Sequence, residues 1–341
     1  MNELRTKTAE ADREEASRST AAPQASGGIS RLRNPDLSQC WRLLGCLGST
    51  ALLTVAFIKP LFSLVVYAAI TDLHSHILLV PFISAYLLRL QRDNLPREYI
   101  SSPGLAMIPL VAGLAALSAA WGLRASGWPL SQNDFLALMA LSFVCFLAVG
   151  GFVFLGRKWM AAAAFPVAFL IFMVPLPDRA AEWLETASKL ASTEVAQLFF
   201  SISGVPVLRN GTVFQLPGVT FEVAQECSGI HSSWVLFITS LLASHLFLKS
   251  PWRRTALVAL VIPLGILRNG FRILVIGLLC VHEGPQMIHS FIHLRGGPVF
   301  FVLALIPLLL LLWWLRKREI AALNARSELQ IARADGSEFC P

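Results

Sequence analysis

The sequence predicts an all-α polytopic membrane protein of about eight transmembrane helices, with a small extracytoplasmic interfacial helix and a β-hairpin between spans five and six. Three observations carry that prediction. Hydrophobic residues make up 55% of the 341 and charged residues only 14%, against roughly 25% charged in a soluble domain. The apolar residues fall in continuous blocks from Leu43 to Leu315. Unbroken blocks of about 20 residues cross a hydrocarbon core as helices, where barrel strands would alternate. Every second loop between blocks is basic, the asymmetry that orients a membrane protein. The formal charge of +7 resides largely in these loops and gives no reason to expect nucleic acid as a partner.

Residues 1–40 are rich in Ala, Ser, Glu and Arg without an apolar period, so they read as a disordered cytoplasmic tail and not as a cleavable signal peptide. The spans fall at 43–66, 74–90, 103–122, 134–154, 158–175, 228–248, 255–281 and 293–315. Basic residues precede the first (Arg42), follow the second (Arg89, Arg92) and join the fourth to the fifth (Arg157, Lys158). Others join the sixth to the seventh (Lys249, Arg253, Arg254) and follow the eighth (Arg316, Lys317, Arg318). Both termini are therefore expected in the cytoplasm. Residues 317–341 read as a short polar helix or tail, leaving one transmembrane domain over 41–316.

Segment 176–227 is then the one long extracytoplasmic connection. Its first half spaces Trp183, Leu184, Leu190, Val195, Leu198 and Phe199 as an interfacial helix. Its second half, VPVLRNGTVFQLPGVTFEVAQE, alternates apolar and polar residues about Asn210-Gly211, the signal of a hairpin. That hairpin delivers the chain to Cys227 at the mouth of span six.

Cys227 stands apart from the cysteines at 40, 46, 145, 280 and 340, because Gln225, Glu226, Ser228, His231, Ser232 and Ser233 surround it. With no CxxC pair and no zinc-type His/Cys spacing, neither a metal nor another cofactor is expected. Span seven carries Arg268, Asn269 and Arg272 inside its apolar run, and span eight begins with His289, His293 and Arg295. Charges inside spans are costly and mark functional sites by default. Counting about 1.5 Å of rise per residue from the basic end of each span puts Cys227, Arg272 and His293 at about 33, 27 and 34 Å, one shared level. Arg268 comes out at about 21 Å, a turn lower and less able to reach the thiol.

A thiol at that level beside His and Arg has coherent chemistry. Cationic neighbours favour the thiolate, His293 can take and return a proton, and the Arg272 fork can stabilise an oxyanion. On the residues alone the bland readings stay open: a structural cysteine, a histidine in the headgroup zone, or arginines that bind lipid headgroups or an anionic substrate in a transporter or polysaccharide-export component.

Five ordered motifs resemble those of the exosortase/archaeosortase family over about residues 43–312. They are TDLHSHILLVPFISAYLLRLQR, FPVAFLIFMVPLPDRAAEWLE, GVPVLRNGTVFQLPGVTFEVAQECSGIHSSW, IPLGILRNGFRILVIG with Asn269 and Arg272, and HLRGGPVFF with His293, Gly297 and Phe301. The resemblance implies a membrane cysteine transpeptidase or protease of the bacterial inner membrane, its site facing the extracytoplasmic side. Cys227 would be the nucleophile, with Arg272 and His293 as the other catalytic positions; beside them Asn269, Arg268 and His231 are candidate binding positions read from the residues themselves. It implies as partners secreted proteins with a C-terminal sorting signal of the PEP-CTERM class, with a membrane lipid among the candidate acceptors of the thioacyl intermediate. The chain departs from the family in having His231 where Arg is usual, so His231 joins His293 as a candidate base. Transporters commonly show internal repeats and a site near the midplane; no convincing repeat is visible here, and the polar cluster lies near the outer face.

Overall fold

The computed structural model describes residues 37–96, 99–223, 229–284 and 297–337. Of the expected N-terminal tail, residues 1–36 lie outside the described residues, while 37–40 already belong to a helix. That helix, α1 (Leu37–Ala56), and α2 (Ile58–Ile70) replace the single expected first span and are bent by 71°. Pro60 accounts for the bend: it has no N–H for the Ala56 carbonyl, and its ring collides with that oxygen. Pro166 acts the same way on Ala162. Span five, expected as one helix over 158–175, is α6 (Arg157–Ala162), α7 (Ala164–Phe169) and a 3₁₀ turn at Leu170–Met173.

Between these breaks run a 3₁₀ stretch Asp72–Leu78, α3 (Val80–Leu90), α4 (Pro103–Ala125) and α5 (Gln132–Gly150), which a π turn extends to Leu155. After a 90° bend from α7 comes α8 (Asp178–Ser203), followed later by α9 (Ile230–Phe247), α10 (Pro251–Glu283) and α11 (Gly297–Ser337). Among the described residues six helical stretches are long and apolar enough to cross a membrane, or eight if each bent pair is one span. The chain is thus a mostly helical, multi-pass membrane protein. Its many exposed large apolar side chains, such as Leu47, Leu52, Phe62 and Ile108, lie on helix faces that hydrocarbon would cover. One helix, α11, runs through the expected tail as far as Ser337.

The segment expected as an interfacial helix is helical, as α8. Asn133 Nδ2 donates to the Leu176 carbonyl and to Asp178 Oδ1, both at 2.7 Å, and the Asp178 N–H donates to Asp134 Oδ1 at 2.9 Å. The start of α5 thus holds the Pro-x-Pro exit in place. The expected hairpin is a three-stranded antiparallel meander of β1 (Leu208–Asn210), β2 (Val213–Leu216) and β3 (Val219–Glu222). Asn210 pairs with Val213, so the two-residue turn is Gly211-Thr212, one position later than expected. Pro217-Gly218 forms the second turn, since Leu216 pairs with Val219; Pro then Gly at φ +79° suits a type II turn. Phe214, Leu216 and Val219 from this sheet, and Val223 just after it, bury against Ala196 and Phe200 of α8 and Ile273, Ile276 and Cys280 of α10. Arg209 clamps the sheet to α8, donating from Nη2 to Glu194 and from Nη1 to Gln197, both at 2.6 Å.

At the opposite, basic end, the Glu319 carboxylate of α11 is 7% exposed and accepts from the Lys249 and Ser250 N–H groups at 3.0 and 2.7 Å. It caps the N-terminus of α10, where the helix dipole favours an anion. Glu319→Ala is expected to cost about 1–3 kcal/mol, seen as a lower Tm in detergent.

Candidate functional site

Gly229 is where the chain re-enters the described residues, with φ +64° as the cap of α9. A Cβ there would be strained by that backbone angle and would overlap the Asn269 carboxamide. Only glycine lets α10 come so close to the mouth of α9. Deeper along the same pair, a Cβ at Gly265 would meet Ser233 Oγ at 2.8 Å. On the other side of α10, Gly270 and Gly277 admit Val195 and Phe200 of α8. Glycines therefore let α10 pack closely between α9 and α8, with the sheet beside its distal half.

Arg268 and Asn269 fill the space under Gly229, at 5% and 1% exposure. Arg268 Nη2 lies 2.9 Å from the Gly229 carbonyl, 3.1 Å from Ser233 Oγ and 3.0 Å from Asn269 Oδ1. Its Nη1 is buried without a hydrogen-bond partner among the described residues. The helical count places the Arg268 Cα, and its long side chain carries the guanidinium higher, to the Gly229 carbonyl. Its head extends to a carbonyl two residues from Cys227 in the chain. Arg272 follows one turn later on α10, half-buried and close enough for the two guanidinium charges to repel. Such a pair of neighbouring cations favours an anion in the space they face.

Cys227 and His293 lie outside the described residues, as do His289 and Arg295. The shared level of Cys227, Arg272 and His293 therefore involves two residues that are not described.

His231 is described, and the fold separates it from Arg268. His231 and Ser233 are two residues apart on α9, about 200° around the helix, so the side that presents Ser233 to Arg268 turns His231 away. His231 instead lies within electrostatic range of His74 and His76 on the 3₁₀ stretch before α3, with its Nδ1 buried and unpartnered among the described residues. One turn on, Trp234 Nε1 donates to His76 Nε2 at 3.3 Å. His76 Nδ1 lies 3.1 Å from the Leu73 carbonyl, and the ring also bonds the Phe172 backbone. His74, 4% exposed, lies against the Tyr67 ring at 5.4 Å, and neither of its nitrogens has a hydrogen-bond partner among the described residues.

The sequence reading had not assigned site positions to His74, His76, Ser233, Trp234 or Gly229. The His-Ser-His spacing before Pro81 was a usable signal; the roles of Ser233 and Gly229 appear only when α9 and α10 pack. Among the described residues, no group of three or more His, Cys, Asp or Glu side chains could hold a metal ion.

Gly229→Ala adds a strained backbone angle and a clash with Asn269. It is expected to lower Tm and to change the alkylation rate of Cys227 in intact membranes, while Gly204→Ala, strained in φ but open in space, leaves that rate unchanged.

No curated protein and no solved structure matches the chain. The family model described as transmembrane exosortase, Exosortase_EpsH, matches residues 68–310. That stretch runs from the end of α2 into the first part of α11 and takes in the histidine group, the α8–sheet unit and the Arg268–Asn269–Gly229 contact. The chain belongs to the transmembrane exosortase family.

Proposed function

We propose that the chain is a cysteine transpeptidase or protease that cleaves the C-terminal sorting signal of secreted proteins at the extracytoplasmic face of the inner membrane. One observation carries this reading. A buried arginine and asparagine of α10 grip Gly229 at the mouth of α9, beside a second arginine and two residues from Cys227. Covalent geometry alone keeps the Cys227 Cα within about 7 Å of that of Gly229. A thiol there would lie near the field of Arg268 and Arg272, which lowers the cost of the thiolate.

In this mechanism Cys227 attacks the scissile carbonyl as thiolate. Arg272 stabilises the oxyanion, and His293 returns a proton to the leaving amine. The leaving peptide carries away the apolar tail of the signal, and a thioacyl enzyme remains. An amine on a lipid or sugar resolves it to a new amide; water resolves it to a free carboxylate. His231 faces the His74–His76 group and not Arg268, which favours His293 over His231 as the base.

The test is mass spectrometry of the C-terminus of a co-expressed protein bearing a Pro-containing motif, an apolar span and a basic end. The reading expects a shortened C-terminus that depends on Cys227. An unprocessed C-terminus in the presence of the accumulated wild-type chain and several such substrates would overturn it.

A further inference from the structure

The bend at Phe57 leaves a cavity of about 1160 Å³ between the α1–α2 elbow and the outer faces of α4 and α5. Its depth follows from packing. Phe57 packs at a tilt against Phe143 and edge-on against Phe146 of α5, with centroids at 5.8 and 6.1 Å. Phe143 lies about 16 Å down the helix from Gln132, near the middle of a hydrocarbon core of about 30 Å. The groove therefore runs from mid-membrane up to the end of the bundle that carries α8 and the sheet.

Two cations line it. Lys59 sits just past the elbow, and Arg124 ends α4 over the Phe135 ring at 4.8 Å. Both are exposed in the groove, and neither has a carboxylate partner among the described residues. Among the described residues, no Asp or Glu lines the groove. The nearby Asp134 carboxylate is engaged by the Asp178 N–H. The rim includes Ser131 and Gln132 at the N-terminus of the 19-residue α5, where Ser131 Oγ accepts from the Asp134 N–H and the Asp134 carboxylate offsets the helix dipole. Trp121 and Trp128 complete it, the residue type that settles at the headgroup level. An uncompensated lysine near mid-membrane is costly unless a counter-charge reaches it, and its four-methylene stem lets the ammonium rise toward one.

We propose that this groove binds a membrane lipid with an anionic phosphate headgroup. Arg124 and Lys59 hold the phosphate near the start of α5, and the acyl chains lie in the apolar lower groove beside Phe57. The proposal is independent of the reaction assigned to the Cys227 region. It also gives the α1–α2 elbow a role, because a straight first span through Pro60 would close the space.

The test uses the delipidated full chain in mild detergent, with phosphatidylglycerol and phosphatidylcholine as probes and native mass spectrometry as the readout. The wild-type protein is expected to retain phosphatidylglycerol in preference. The Lys59→Gln/Arg124→Gln double variant is expected to bind it about 25-fold more weakly, about fivefold for each charge. The single variants carry the same test if the double variant accumulates poorly. Equal retention of the two lipids, or unchanged phosphatidylglycerol binding by the variants, would overturn the proposal. So would a photo-crosslinker at Trp128 that captures a protein helix and no lipid.

Discussion

Cys227→Ala is expected to reduce processing of a sorting-signal substrate by about 10⁴-fold or more, while the protein accumulates in the membrane with an unchanged Tm. The expectation rests on the difference between losing a nucleophile and losing a packing residue. The surrounding Arg268–Asn269–Gly229 contact is made by a backbone carbonyl and by side chains of α9 and α10, none of which needs the Cys227 sulfur. Cys227→Ser should lie close to Cys227→Ala, since under the proposed mechanism a serine hydroxyl is a far weaker nucleophile than the thiolate it replaces. Undiminished processing by Cys227→Ala would sink the thiol mechanism, whatever the family match.

The second large effect separates the two arginines. Arg272→Lys is expected to cut processing by about 10²–10³-fold with little change in Tm, because in the proposed mechanism Arg272 holds the oxyanion and one ammonium cannot reproduce a fork of donors. Arg268→Lys is expected to be milder in rate and worse in stability. Arg268 is the buried one, and its Nη2 serves the Gly229 carbonyl, Ser233 and Asn269 together. A lysine there cannot serve all three acceptors, and each hydrogen bond lost to a charged donor costs about 1.5–3 kcal/mol. The pair is read by Tm alongside the rate of substrate processing. If Arg268→Lys abolished the rate at unchanged Tm while Arg272→Lys did not, the two roles would have to be exchanged.

Much of the fold was legible because membrane physics restricts the answer. Apolar blocks of helical length, periodic spacing in Trp183 to Phe199 and the turn residues around Gly211 are local signals, and α8 and the sheet follow from them. The errors were local too. Pro60 and Pro166 stood in apolar runs whose hydropathy hid the breaks that a missing N–H imposes. The third strand followed Pro217-Gly218, a turn signal present in the quoted stretch but not used.

The sequence by itself determined a multi-pass helical protein, the interfacial unit before Cys227, and Arg268, Asn269 and Arg272 as charges and amides placed where hydrocarbon penalises them. The tertiary structure alone decided which neighbours those groups serve. Arg268 reaches Gly229 because a side chain several ångströms long crosses the level that a count of helical rise assigned to its Cα. His231 turns toward His74 and His76 because the rotation of α9 is set by packing, with Ser233 against Gly265 on one side and Trp234 against His76 on the other. Depth along a helix is written in residue number. Direction around it depends on which faces are buried, and burial exists only once the helices meet.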